Sequence, residues 1–125
     1  MVSLSTRRNT GPDLDTFMLV LDRDGYRCVL CSAPIQGERG IDWVLHHRRP
    51  RAMGGTRRPD ANSPANLISL CAGCHLEVES HRAEAFANGW IVAQFTDPTT
   101  VFCLVDHGSR AVYLTADGQY SDVTS

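Results

Sequence analysis

The sequence predicts an α+β fold with an N-terminal helix, a strand–loop–strand–helix unit stapled by four cysteines, and a small C-terminal β meander. Three observations carry this prediction. Two C-x-x-C pairs, Cys28 and Cys31 in "CVLC" and Cys71 and Cys74 in "CAGC", bracket the middle of the chain. Leu14, Phe17, Met18 and Leu21 fall at i, i+3, i+4 and i+7, the spacing of one apolar helix face. After Trp90, "IVAQF", "VFCLV" and "AVYLT" are short runs of strand-forming composition separated by the turn segments "TDPTT" and "DHGSR".

Taken in order, residues 1–11 are polar and read as a loose arm, 12–90 as the main domain, and 91–125 as an extension packed on it. Pro12 suits a first helical position, Asp13 and Asp15 suit the positive end of the helix, and Gly25 suits its stop. "YRCVLCSAP" reads as a metal knuckle and "IQGERG" as a turn. "IDWVLHH" and "NLISLC" have strand composition, and residues 48–64 between them, with three prolines and two glycines, form a long loop. From Ala72 to about Ala87 the chain reads as one helix ending at "NGW". A chain of 125 residues suits one domain with a modest core.

Composition narrows the function classes. No run of eighteen apolar residues is present, so no membrane span is expected. The opening "MVSLSTRRNTGPD" lacks the apolar core of a secretory signal, and a cytoplasmic location is expected. All 12 basic residues are arginine, and Arg48, Arg49, Arg51, Arg57 and Arg58 lie in a stretch without a single acid. A chain of net charge −2 can therefore present one positive loop, which suits the phosphate backbone of a nucleic acid.

Five cysteines is an odd count that argues against a complete disulfide framework. Two C-x-x-C pairs instead point to a tetrahedral zinc site of Cys28, Cys31, Cys71 and Cys74, against the plainer readings of a redox pair or buried thiols. Cys103, inside the apolar run "VFCLV", is expected in the core.

His46 and His47 stand together at the end of a predicted strand, where successive side chains point to opposite faces. They cannot form a simple chelating pair, so one can hold a metal while the other reaches a substrate. His75, following Cys74, is the natural second ligand, and Glu79, four residues on, shares its helix face, whereas His81 points away. A divalent ion polarising a phosphate beside a neutral histidine that deprotonates water would suit a phosphodiester substrate.

"CVLC", "LHHRRPRAMGG", "NLISLC" and "CAGCH", in that order, resemble the HNH endonucleases, in particular their zinc-stapled branch common in bacteriophages and restriction systems. The resemblance spans Arg23 to about Gly89. It implies a ββα-metal, treble-clef-like core that cuts DNA with magnesium or manganese. It assigns His46 as the first metal ligand, His47 as the general base, Asn66 as the motif asparagine that holds the loop and orients the base, and His75 as the helical ligand. Many relatives carry a further histidine where Glu79 stands here. Glu79 either serves as a hard carboxylate ligand or pairs with Arg82 on the helix surface. The resemblance also implies a phage or prophage origin, action in the host cytoplasm, and the phage terminase large subunit as a partner in DNA packaging. The rival is a non-catalytic zinc module binding nucleic acid or protein, which would use the cysteines and the basic loop but has no need of His47, Asn66 and His75.

Overall fold

Asp13, rather than Pro12, opens the first helix, α1 (Leu14–Arg23), in the computed structural model, which describes residues 12–50 and 61–123. The Asp13 carboxylate accepts the amide of Thr16 at 2.9 Å, satisfying a donor that the first helical turn cannot, and Pro12 lies just outside. The inward stripe is also rotated from the predicted one. Val20 and Leu21 are buried, with Phe17 packed against the same cluster, while Leu14 and Met18 face outward. The helix stops as expected, because Gly25 adopts φ 69° and the amides of Gly25 and Tyr26 return to the carbonyls of Asp22 and Leu21.

Strands β1 (Trp43–His47) and β2 (Leu67–Cys71) pair antiparallel, with Trp43 opposite Cys71 and His47 opposite Leu67. Their alternation divides the core. Trp43, Leu45 and Leu67 pack with Val20 and Leu21 of α1, whereas Ile68 and Leu70 join Val78, Ala85, Ile91, Val105, Val112 and Leu114 on the other side. Cys71 then caps α2 (Ala72–Ser80).

The single helix expected over 72–87 breaks at His81, whose φ −123° and ψ 65° are not helical, and resumes as α3 (Arg82–Ala87). The redirected segment brings Ala85 into the core, where its carbonyl accepts the amides of Trp90 and Ile91. Gly89 follows at φ 81°, and a Cβ there would collide with the Phe102 carbonyl oxygen.

The C-terminal meander is present but composed differently. Its strands are β3 (Cys103–Val105), β4 (Arg110–Leu114) and β5 (Tyr120–Asp122), in that spatial order and antiparallel throughout. "IVAQF" is not a strand. Ile91 and Val92 are buried, the Val92 amide bonds to the Arg48 carbonyl, and the chain turns at Thr96 without a strand partner. The third strand, "YSD", carries too little apolar character to be recognised from pattern alone.

Two buried polar hubs fasten this extension to the rest. Arg23 donates to Asp24, Pro64 O and Leu67 O, while Asp24 accepts the Ser69 amide and the Tyr120 hydroxyl, joining α1, β2 and β5. Arg48 is fully buried, and all five of its guanidinium donors meet backbone carbonyls: Gly89 and Val101 at 2.8 Å, Ala65 at 2.9 Å, Pro98 at 3.1 Å and Phe102 at 3.2 Å. Among the described residues no helix is long and apolar enough to cross a membrane.

Candidate metal centres

The knuckle that carries Cys28 and Cys31 is closed by its own backbone. The Cys28 amide reaches Ala33 O at 2.8 Å, the Ser32 amide returns to Cys28 O at 2.9 Å, and the Val29 amide ties the turn to Ser69 O of β2. Cys71 and Cys74 come from the β2–α2 junction, so the four thiols converge with their sulfurs within 4.8 Å of one another. Cys31 Sγ and Cys71 Sγ are 3.7 Å apart. That is far longer than a disulfide, and it matches the edge of about 3.8 Å of a tetrahedron with metal–sulfur bonds of about 2.3 Å. The cluster could hold a metal such as zinc. Burial raises the Cys28 and Cys74 thiols above their ordinary pKa. At Cys71 burial acts in the same direction, but hydrogen bonds from Cys74, Cys31 and Cys28 outweigh it and lower the pKa. The fifth cysteine, Cys103, lies in the core as expected, its thiol pushed up to about 11 by burial.

A second convergence lies between β1 and α2. His46, His75 and Glu79 bring ligand atoms within 4.8 Å of one another, and Glu79 Oε2 is 3.8 Å from both His46 Nδ1 and His75 Nε2. These gaps are too long for hydrogen bonds. Two donors that each approach one ion to about 2.1 Å stand at most about 4.2 Å apart, so the gaps have room for an ion. Two imidazoles and a carboxylate suit a divalent cation of hard or borderline character.

His46 is arranged so that its ring could serve such a site. Its Nε2 donates to Trp90 O at 2.9 Å, which leaves the Nδ1 lone pair toward Glu79 and His75. Burial, with the nearby charges of His75, His47 and Arg48, lowers its pKa to about 4 against a smaller opposing effect of the Trp90 carbonyl, so the ring is neutral at physiological pH. The pairing of Glu79 with Arg82 is present. Oε2 faces the imidazoles while Oε1 accepts from Arg82 at 3.2 Å. His81 turns away as expected and meets Glu77.

His47 occupies the opposite strand face, consistent with its pairing to Leu67, yet both histidines border one cavity. A cleft of about 340 Å³ beside β1 is lined by His46, His47, Pro50, His75, Glu79 and Arg82. Asn66 is completely buried. Its Oδ1 accepts the Arg49 amide and its Nδ2 donates to Ala61 O, both at 2.8 Å, clasping the chain that leaves β1 to the segment that enters β2. Asn66, expected to hold the loop and orient His47, is engaged with Arg49 and Ala61, while His47 Nε2 lies 2.8 Å from Asn62 Oδ1. Within "DANSPAN" nothing distinguishes Asn62 from an ordinary turn residue.

The basic loop requires a correction. Arg48 and Arg49, expected to meet phosphates, are 0% and 3% exposed. Arg48 is engaged by five carbonyls, and Arg49 Nη1 donates to Thr96 O at 3.1 Å. Folding the chain around them satisfies backbone acceptors that would otherwise be buried unpaired. Arg51, Arg57 and Arg58 lie outside the described residues. Comparison of the chain with family models, with curated proteins and with solved structures gave no match.

Proposed function

We propose that this chain is a divalent-metal-dependent DNA endonuclease of the HNH type, with the β1–β2 hairpin and α2 as a ββα-metal core and a structural zinc held by the four cysteines. The observation that supports this most is the convergence of His46, His75 and Glu79 beside His47 in one cleft. A bound magnesium or manganese ion would neutralise charge on the scissile phosphate and its leaving oxygen. His46 and His75 offer ring nitrogens to that ion, and Glu79, steadied by Arg82, offers a carboxylate oxygen. His47 is the general base that takes a proton from the attacking water. Asn66 keeps the chain on either side of the base in place.

A non-catalytic zinc module would need the cysteine cluster but gains nothing from three converging ligand residues bordering the same cleft as His47. Zinc-loaded protein is expected to convert supercoiled plasmid to nicked or linear DNA with added magnesium or manganese, and to leave it intact without either ion. Plasmid that is bound but uncut under both ions would replace the nuclease by the zinc-stapled binding module.

A further inference from the structure

We infer that Arg82 is a catalytic residue of the cleft, its guanidinium holding a non-bridging oxygen of the scissile phosphate beside the cluster of His46, His75 and Glu79. The inference rests on the nuclease reading above. It begins from charge. Of the described residues that line the cleft, Arg82 alone carries a permanent positive charge, and 47% of its side chain is exposed. Arg48 and Arg49, which stand next to His47 in sequence, are buried and donate to backbone carbonyls instead.

Two contacts hold the guanidinium at the cleft and leave its binding edge open. Nη1 donates to Glu79 Oε1 at 3.2 Å, and Cζ lies 5.9 Å from the centre of the Phe86 ring, one turn further along α3. Among the described residues no acceptor meets Nε or Nη2, the two nitrogens that together match a pair of phosphate oxygens. Glu79 Oε2 is turned to His46 and His75 while Oε1 takes the Arg82 hydrogen, so one carboxylate joins the ligand cluster to the guanidinium. A phosphodiester with one non-bridging oxygen at the cluster has the other on the Arg82 side. An exposed ion pair three residues apart on a helix adds little to stability, so substitutions at Arg82 should keep the fold.

The hydrolysis needs a charge in this place. The water oxygen bonds to phosphorus as its proton passes to the base. The leaving sugar oxygen departs with the electron pair of its bond and takes a proton from solvent. Between these events negative charge spreads over the phosphoryl oxygens, where a guanidinium already in position stabilises it without reorganising. In the metal-free protein Glu79 balances the Arg82 charge, and the pair adds nothing net toward duplex DNA. Once Glu79 serves as a ligand, its charge is balanced at the cluster, and Arg82 presents one further positive charge to the phosphate.

The test uses zinc-loaded protein and three readouts. In single-turnover plasmid cleavage at saturating manganese, Arg82→Gln should be about 10–100-fold slower, the rate equivalent of one charged hydrogen bond. Arg82→Lys, which keeps the charge but not the fork, should recover part of the loss. Manganese affinity of the DNA-free protein, read by electron paramagnetic resonance, should not weaken in Arg82→Gln. In a His47→Ala background with manganese, adding Arg82→Gln should make the log–log salt dependence of duplex binding shallower by about 0.9, with no change when the divalent ion is left out. A wild-type rate for Arg82→Gln at saturating manganese would overturn the assignment. So would a slow rate accompanied by weakened manganese binding and an unchanged salt slope, which would reduce Arg82 to a support for Glu79. Either result leaves the nuclease standing. If the wild type cuts no DNA with either ion, the nuclease reading falls instead, and the salt slopes still decide whether Arg82 meets a phosphate.

Discussion

Replacing Arg48 by methionine keeps a long flexible side chain in the same space and deletes all five guanidinium donors. Three of the bonds lost, to Gly89, Ala65 and Pro98, are fully inside the protein, while those to Val101 and Phe102 are at part-buried carbonyls that water can reach. Each interior carbonyl left unpaired costs about 1–3 kcal/mol. Part of that is returned, because the guanidinium no longer has to be dehydrated. The net cost is about 3–5 kcal/mol, the usual range for removing one partner of a buried charged network. A domain with total stability of about 5–15 kcal/mol would lose much of it, and Tm would fall by roughly 10–20 °C. Thermal unfolding of zinc-loaded wild type and Arg48→Met by circular dichroism measures this. If the variant melted within a few degrees of wild type but lost DNA affinity with a flatter salt dependence, Arg48 would be a phosphate contact and the interior clasp would be wrong.

Elemental analysis is expected to find one zinc per chain, and Cys28→Ser should lose both the zinc and the fold, since structural zinc contributes about 10–16 kcal/mol in small domains. DNA affinity should fall with salt at a log–log slope of about −3 rather than the −4 to −5 of a five-arginine loop, because only Arg51, Arg57 and Arg58 remain for phosphates at about −0.9 each. Alanine at both Arg57 and Arg58 should flatten the slope further, as fluorescence anisotropy titrations would show. Acid should weaken the fold through His46: its pKa is about 4 when folded against about 6.5 when unfolded, so below pH 6.5 only the unfolded chain gains the proton. The stability held by keeping this ring neutral is complete above pH 6.5 and is lost as pH falls toward 4, about 3 kcal/mol in all. Urea unfolding across that range without added magnesium or manganese reads it, and His46→Phe should remove most of the slope.

What was legible from residues alone is local chemistry repeated at short spacing. The C-x-x-C pairs predict their own convergence because a two-residue spacer turns both thiols to one side, and the cluster forms as expected. Strand alternation separates His46 from His47, and helical spacing puts His75 and Glu79 together. The features that escaped depend on partners distant in sequence. Arg48 looks like a member of a basic surface run until Gly89, Pro98 and Phe102 fold around it. Arg23 and Asp24 look like solvated charges at a helix end until Tyr120 closes over them. The break at His81 is a tertiary choice, since good helix formers on both sides would continue straight but for the burial gained at Ala85. "IVAQF" has strand composition but finds no neighbouring edge, whereas "YSD" gains one from β4.

The division of labour between the adjacent histidines is the centre of the account, and single-turnover cleavage by His47→Ala in saturating manganese tests it most directly. His46, not His47, belongs to the ligand cluster. The variant should therefore retain its zinc, its DNA binding and its manganese affinity while losing about 10²–10⁴-fold in cleavage rate, as removal of a general base does. Cleavage by His47→Ala at the wild-type rate would contradict the account.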